Sequence, residues 1–65
     1  MEIKVWHLRK KQNITLEQLS KLSGIPKSTL SDIESNRVEV KLYQLEKIAN
    51  ALNCHISDLY DSPYK

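Results

Sequence analysis

The chain has 65 residues, 40% of them apolar and 28% charged, with a net charge of +2. That length makes one domain, burying roughly 60% of its unfolded surface, with no room for a cofactor domain or a deep substrate cleft. No apolar run reaches the roughly 18 residues a membrane span needs, and MEIKVWHLRKK has neither the apolar block nor the small-residue cleavage site of a secretory leader. A cytoplasmic chain is expected.

Cys54 is the only cysteine, which rules out an intrachain disulfide and fits a reducing compartment. His7, Cys54 and His55 follow no zinc spacing, so no metal is expected. The mildly basic balance permits nucleic-acid binding without arguing for it, because distribution matters more than the sum. Lys4, Arg9, Lys10 and Lys11 face only Glu2 within residues 1–12. That end could lie near phosphates, although a solvated helix face is the plainer account.

A first helix is predicted from about Ile3 to Gln12. Val5 and Leu8 share one side, which Met1 and Trp6 can join, and Asn13 is a left-handed stop. Thr15 opens the second helix: Thr15-Leu-Glu-Gln18 has the form of a capping box, and Ile14 before it can staple onto Leu19. Leu16, Leu19 and Leu22 form the expected core stripe, and Ser20 and Ser23 are small enough for another helix to approach closely. Gly24, the only glycine, falls where this helix must stop with a positive φ. Ile25 anchors the turn, and Pro26 suits a first helical position.

The third helix is predicted from Pro26 to Ser35, with Leu30 and Ile33 inward. Lys27, Ser28, Thr29, Ser31 and Asp32 are left outside, a polar face with no packing role that suits base edges and also suits plain solvent. Residues 14–34, ITLEQLSKLSGIPKSTLSDIE, thus read as two short helices about a tight turn, a device for placing one helix in the major groove of DNA. A connection, NRVEV, covers 36–40, with Asn36 able to turn left-handed. The fourth helix runs from Lys41 to Leu52 on Leu42, Leu45, Ile48, Ala49 and Leu52, the clearest periodicity in the chain. Asn53 ends it. A short fifth helix, Ile56–Tyr60, has His55 as a weak cap, and 61–65 is expected to fray. The expected fold is all-α, a compact bundle of four to five helices, as one domain over 1–60 with the motif at 15–35.

Three blocks resemble the phage repressor family of helix-turn-helix domains, the lambda repressor and Cro-like group. They are Val5-x-x-Leu8-Arg9, the run Thr15-x-x-x-Leu19 through Gly24-Ile25-Pro-x-Ser28-Thr29-Leu30-Ser-x-Ile33-Glu34, and Leu42-x-x-Leu45-x-x-Ile48-Ala49-x-Ala51-Leu52-Asn53. Ser57-Asp58-Leu59 resembles the family's closing helix, so the similarity spans about residues 3–60. The resemblance implies the lambda-repressor-like fold and a transcriptional regulator, a repressor by preference, that binds a near-palindromic double-stranded DNA operator as a homodimer.

Residues matching the base-reading positions are Lys27, toward guanine O6 or N7, Ser28, and Asp32, toward cytosine N4 or as a repellent of other sites. Thr15 and Thr29 match phosphate positions, and Arg37 and Lys41 are further phosphate candidates. Arg9 and Glu34 match a structural ion pair, with Arg9 also within reach of phosphate. The sequence departs at Leu16, where many members carry a phosphate-binding Gln, at Pro26, at Asn36 and at Asp32.

No catalytic geometry is present, so an enzyme is not expected, and no cofactor or small-molecule effector is implied. Trp6 reads as a packing or dimer residue. Tyr43, Tyr60 and Tyr64 read as surface, with Leu59–Tyr60 a candidate two-fold patch. From another class, the same fold can serve as a protein-interaction module that docks on a toxin or an antirepressor.

Overall fold

The computed structural model describes residues 2–64. In chain order the elements are β1 (Glu2–Ile3), α1 (Val5–Lys11), α2 (Leu16–Ser23), α3 (Lys27–Glu34), α4 (Leu42–Leu52), a 3-10 turn (Ile56–Leu59) and β2 (Tyr60–Asp61). α2 packs on both α3 and α4, and α4 also meets α1 and the 3-10 turn. The core is Val5, Leu19, Ile25, Leu30, Ile33, Leu45, Ile48, Ala49, Leu52 and Leu59. This is the expected helical bundle, with one small sheet added. No helix among the described residues is long and apolar enough to cross a membrane.

The local signals act as their chemistry dictates. Thr15 Oγ1 accepts from the Gln18 N–H at 3.1 Å, and Gln18 Oε1 accepts from the Thr15 N–H at 2.9 Å, completing the capping box. Gly24 has φ +76°, and a Cβ built there would meet no heavy atom within 4 Å. The dihedral, not crowding, is therefore what calls for glycine. Asn13, Asn36 and Asn53 supply the other left-handed residues, with φ of 57°, 57° and 54°. Pro26 is the N-cap at φ −56° and ψ 143°, so α3 begins one residue later than expected. His55 is the N-cap of the 3-10 turn, as expected, and the Asp58 carboxylate accepts from its N–H at 3.0 Å.

Ser20 and Ser23 do more than allow close approach. Ser20 Oγ donates to the Ile25 carbonyl at 2.6 Å, and Ser23 Oγ accepts from the Ile25 N–H at 3.2 Å. Two hydroxyls thus hold the turn that sets α2 against α3. Gln12 Nε2 donates to the Leu52 carbonyl at 2.7 Å and ties the end of α1 to the end of α4.

Five expectations are corrected. Leu22 is 60% exposed, and Leu42 65%. Residues three apart drift about 60° around a helix, so a run of 16, 19 and 22 cannot hold one face. α2 instead buries Leu19 and Ser23, four apart. Leu42 lies in the first turn of α4, at the edge of a stripe centred on Leu45, Ala49 and Leu52. Trp6 is 47% exposed, with Lys10 Nζ 5.8 Å from its ring centroid; Met1 lies outside the described residues. The chain does not fray at Asp61: Tyr60 and Asp61 pair antiparallel with Ile3 and Glu2. The Lys4 N–H donates to the Leu59 carbonyl at 2.7 Å, so α1 begins at Val5 after a short strand.

Candidate nucleic-acid interface

α3 buries two apolar side chains in the core. Leu30 and Ile33 have no exposed surface, and Lys27 and Ser28 lie in solvent on the opposite side. Thr29, Ser31 and Asp32 are half-buried along its flanks. The helix therefore presents a short polar face that no other element covers, on a rod narrow enough for the roughly 12 Å major groove.

Two grooves flank its start. One, of about 530 Å³, brings Arg9 and Lys10 of α1 together with Thr15, Leu16 and Glu17 of α2 and with Lys27. The Thr15 oxygen accepts the capping bond but its O–H remains free to donate, beside the N-terminus of α2. The other, of about 190 Å³, runs between Pro26 and Thr29 on one side and Tyr43, Gln44 and Lys47 on the other. Tyr43 is 53% exposed, and Lys47 Nζ lies 5.7 Å from its ring centroid. Lys10 belongs to the basic run of residues 1–12, read from the sequence as able to lie near phosphates, whereas nothing local marks Lys47, which only packing of α4 beside the turn brings near α3.

Arg37 and Lys41 are exposed beyond the far end of α3. Arg37 Nη1 lies 3.9 Å from Asp32 Oδ1, and its backbone N–H donates to the Asp32 carbonyl at 2.9 Å. At such exposure the ion pair is weak and leaves the guanidinium available to a stronger anion.

Arg9 has another place. Its Nε and Nη2 donate to the two Glu34 carboxylate oxygens at 2.8 and 3.1 Å, and Nη1 donates to the Ile14 carbonyl at 2.9 Å. The two side chains are 6% and 7% exposed. Buried and with three of its five N–H groups engaged, Arg9 fixes the end of α3 to α1 and to the entry of α2. Leu59 is fully buried and Tyr60 half-buried, so they do not form the exposed two-fold patch expected from their sequence positions. Cys54 is half-buried, and desolvation, then the nearby Asp58 carboxylate, push its thiol above the ordinary value. That keeps it protonated and a poor nucleophile at neutral pH.

Comparison with known proteins agrees with this geometry. A helix-turn-helix family model matches residues 7–59. The SPbeta prophage-derived uncharacterized HTH-type transcriptional regulator YopS of Bacillus subtilis (strain 168) is 38% identical over 55 residues, covering 83% of this chain and 74% of that protein. Among solved structures, the N-terminal DNA binding domain of SinR from Bacillus subtilis superposes with a TM-score of 0.82 at 28% identity, covering 95% of this chain and 91% of that one.

Proposed function

Because this chain belongs to the helix-turn-helix family of the Xre/Cro-C1 type, and so is a DNA-binding transcriptional regulator, we propose that it represses from a near-palindromic operator, bound as a homodimer in the cytoplasm. The observation that carries this is the uncovered polar face of α3, with Lys27 and Ser28 in solvent over a base of Leu30 and Ile33. α3 enters the major groove by its N-terminal end. Lys27 donates to guanine O6 or N7, and Ser28 donates or accepts as the base requires. Asp32 accepts from a cytosine amino group, and at other sequences it repels phosphate and so discriminates against them.

Phosphates are held around this contact by the Thr15 hydroxyl and the N-terminus of α2, by Thr29, and by Arg37 and Lys41. Arg9 contributes by positioning α3 through Glu34. Two-fold symmetry sets half-sites roughly 34–36 Å apart.

Lys27→Ala is expected to weaken operator binding by about 1–3 kcal/mol and to relax preference at one base pair. Arg37→Ala is expected to weaken binding to all duplexes alike and to reduce the salt slope by about one. Binding isotherms over a salt series on an operator selected from a random pool and on random duplex test both. If neither variant changes affinity, α3 is not the contact.

One observation favours a protein-docking role of the same fold: Leu22 stands 60% exposed on a groove of about 340 Å³ shared with Ile14 and Gln18. In that role, affinity for duplex would not fall with salt in the steep manner of counterion release.

A further inference from the structure

Residues 37–42, Arg-Val-Glu-Val-Lys-Leu, alternate charged and apolar side chains with the period of a strand in an otherwise helical chain. Residues 38–41 belong to no helix or strand. Among the described residues, the backbone groups of Val38, Glu39 and Val40 make no hydrogen bond. Val38 is 48% and Leu42 65% exposed, and Val40 is half-buried. A groove of about 490 Å³ opens between this segment and Ile3 of β1. Unpaired backbone beside exposed apolar side chains is what a sheet edge offers to another chain.

The geometry points to residues 38–42 as the surface on which a second copy of this chain docks, the two segments lying antiparallel about a two-fold axis at Val40. This rests on the homodimer reading above and gives it a location. Charge and apolar matching together select the occupant and the register. With the axis at Val40, Glu39 faces the partner's Lys41, Val38 faces the partner's Leu42, and Val40 faces its own copy, so every pair is complementary. An axis at Glu39 sets Glu39 against Glu39 and Arg37 against Lys41. An axis at Val38 sets Arg37 against Glu39, but it also sets Asn36 against Val40 and Glu34 against Leu42.

The patch is small, so association in free solution is weak. The segment follows directly on α3, and two copies seated on adjacent half-sites meet there at high effective concentration.

Glu39→Lys and Lys41→Glu test the register by sedimentation equilibrium of the full chain without DNA. Each single variant opposes like charges and is expected to weaken self-association about tenfold. An equimolar mixture of the two restores opposite charges and is expected to form heterodimers at least as tight as the parent dimer.

Transient pairing is caught by oxidation in a Cys54→Ser background. Val38→Cys mixed with Leu42→Cys is expected to cross-link much faster than either variant alone. The 38–42 pair lies within disulfide reach, whereas 38–38 pairs are roughly 13 Å apart. Unchanged association in both charge variants, with a dimer still present, would place the interface elsewhere and leave the homodimer reading standing. A chain that is monomeric on and off DNA and shows no selective cross-link overturns both.

Discussion

Glu34→Ala is expected to remove about 3–5 kcal/mol of folding free energy, the cost of stranding a buried cation. Arg9 is 6% exposed and donates to both Glu34 oxygens. Without that carboxylate, only the Ile14 carbonyl at 2.9 Å faces its guanidinium. A 65-residue domain has only about 3–10 kcal/mol to lose, so the variant should be largely unfolded at 37 °C. In urea titrations followed by circular dichroism, the midpoint should fall steeply with little change in slope. The combined variant Arg9→Met/Glu34→Leu is expected to recover most of the loss, because an apolar pair of similar volume needs no desolvated charge. A Glu34→Ala midpoint within error of the parent would mean that this pair contributes nothing to the fold.

Leu30→Ala should cost about 2–5 kcal/mol, since Leu30 has no exposed surface and shares with Ile33 the apolar attachment of α3. DNA binding should fail together with thermal stability and return on cooling, because the polar face itself is untouched. Leu22→Ala is the control. At 60% exposure it should move stability by no more than about 0.5 kcal/mol. Equal losses for the two leucines would contradict the core described above.

The contrast between these leucines marks what a sequence can tell. Thr15 and Gln18 cap each other, and Gly24 turns left-handed, because those outcomes depend on neighbours three or four residues away. Leu30 and Ile33 were legible as core for the same reason. Leu22 and Leu42 were not, because spacing alone does not say where a stripe leaves the covered face. The pairing of Glu2–Ile3 with Tyr60–Asp61 joins the two ends of the chain, and no local signal announces a contact of that separation.

At the candidate interface, the exposed face of α3 followed from periodicity and the Arg9–Glu34 seam from the resemblance. The burial of Arg9 and its third bond, to the Ile14 carbonyl, depend on how α1, α2 and α3 converge. Lys47 reaches the flank of α3 only through the packing of α4.

The central claim is that this chain meets DNA with the N-terminal end of α3. It is tested most directly by amide chemical-shift mapping of the labelled protein titrated with a duplex selected from a random pool. The account predicts that shifts concentrate at Thr15–Glu17, Lys27–Asp32 and Arg37–Lys41, while the α1 face around Trp6 and His7 and the paired strands Glu2–Ile3 and Tyr60–Asp61 stay unmoved. Shifts centred on Trp6 or Leu22, with Lys27–Asp32 unaffected, would contradict it.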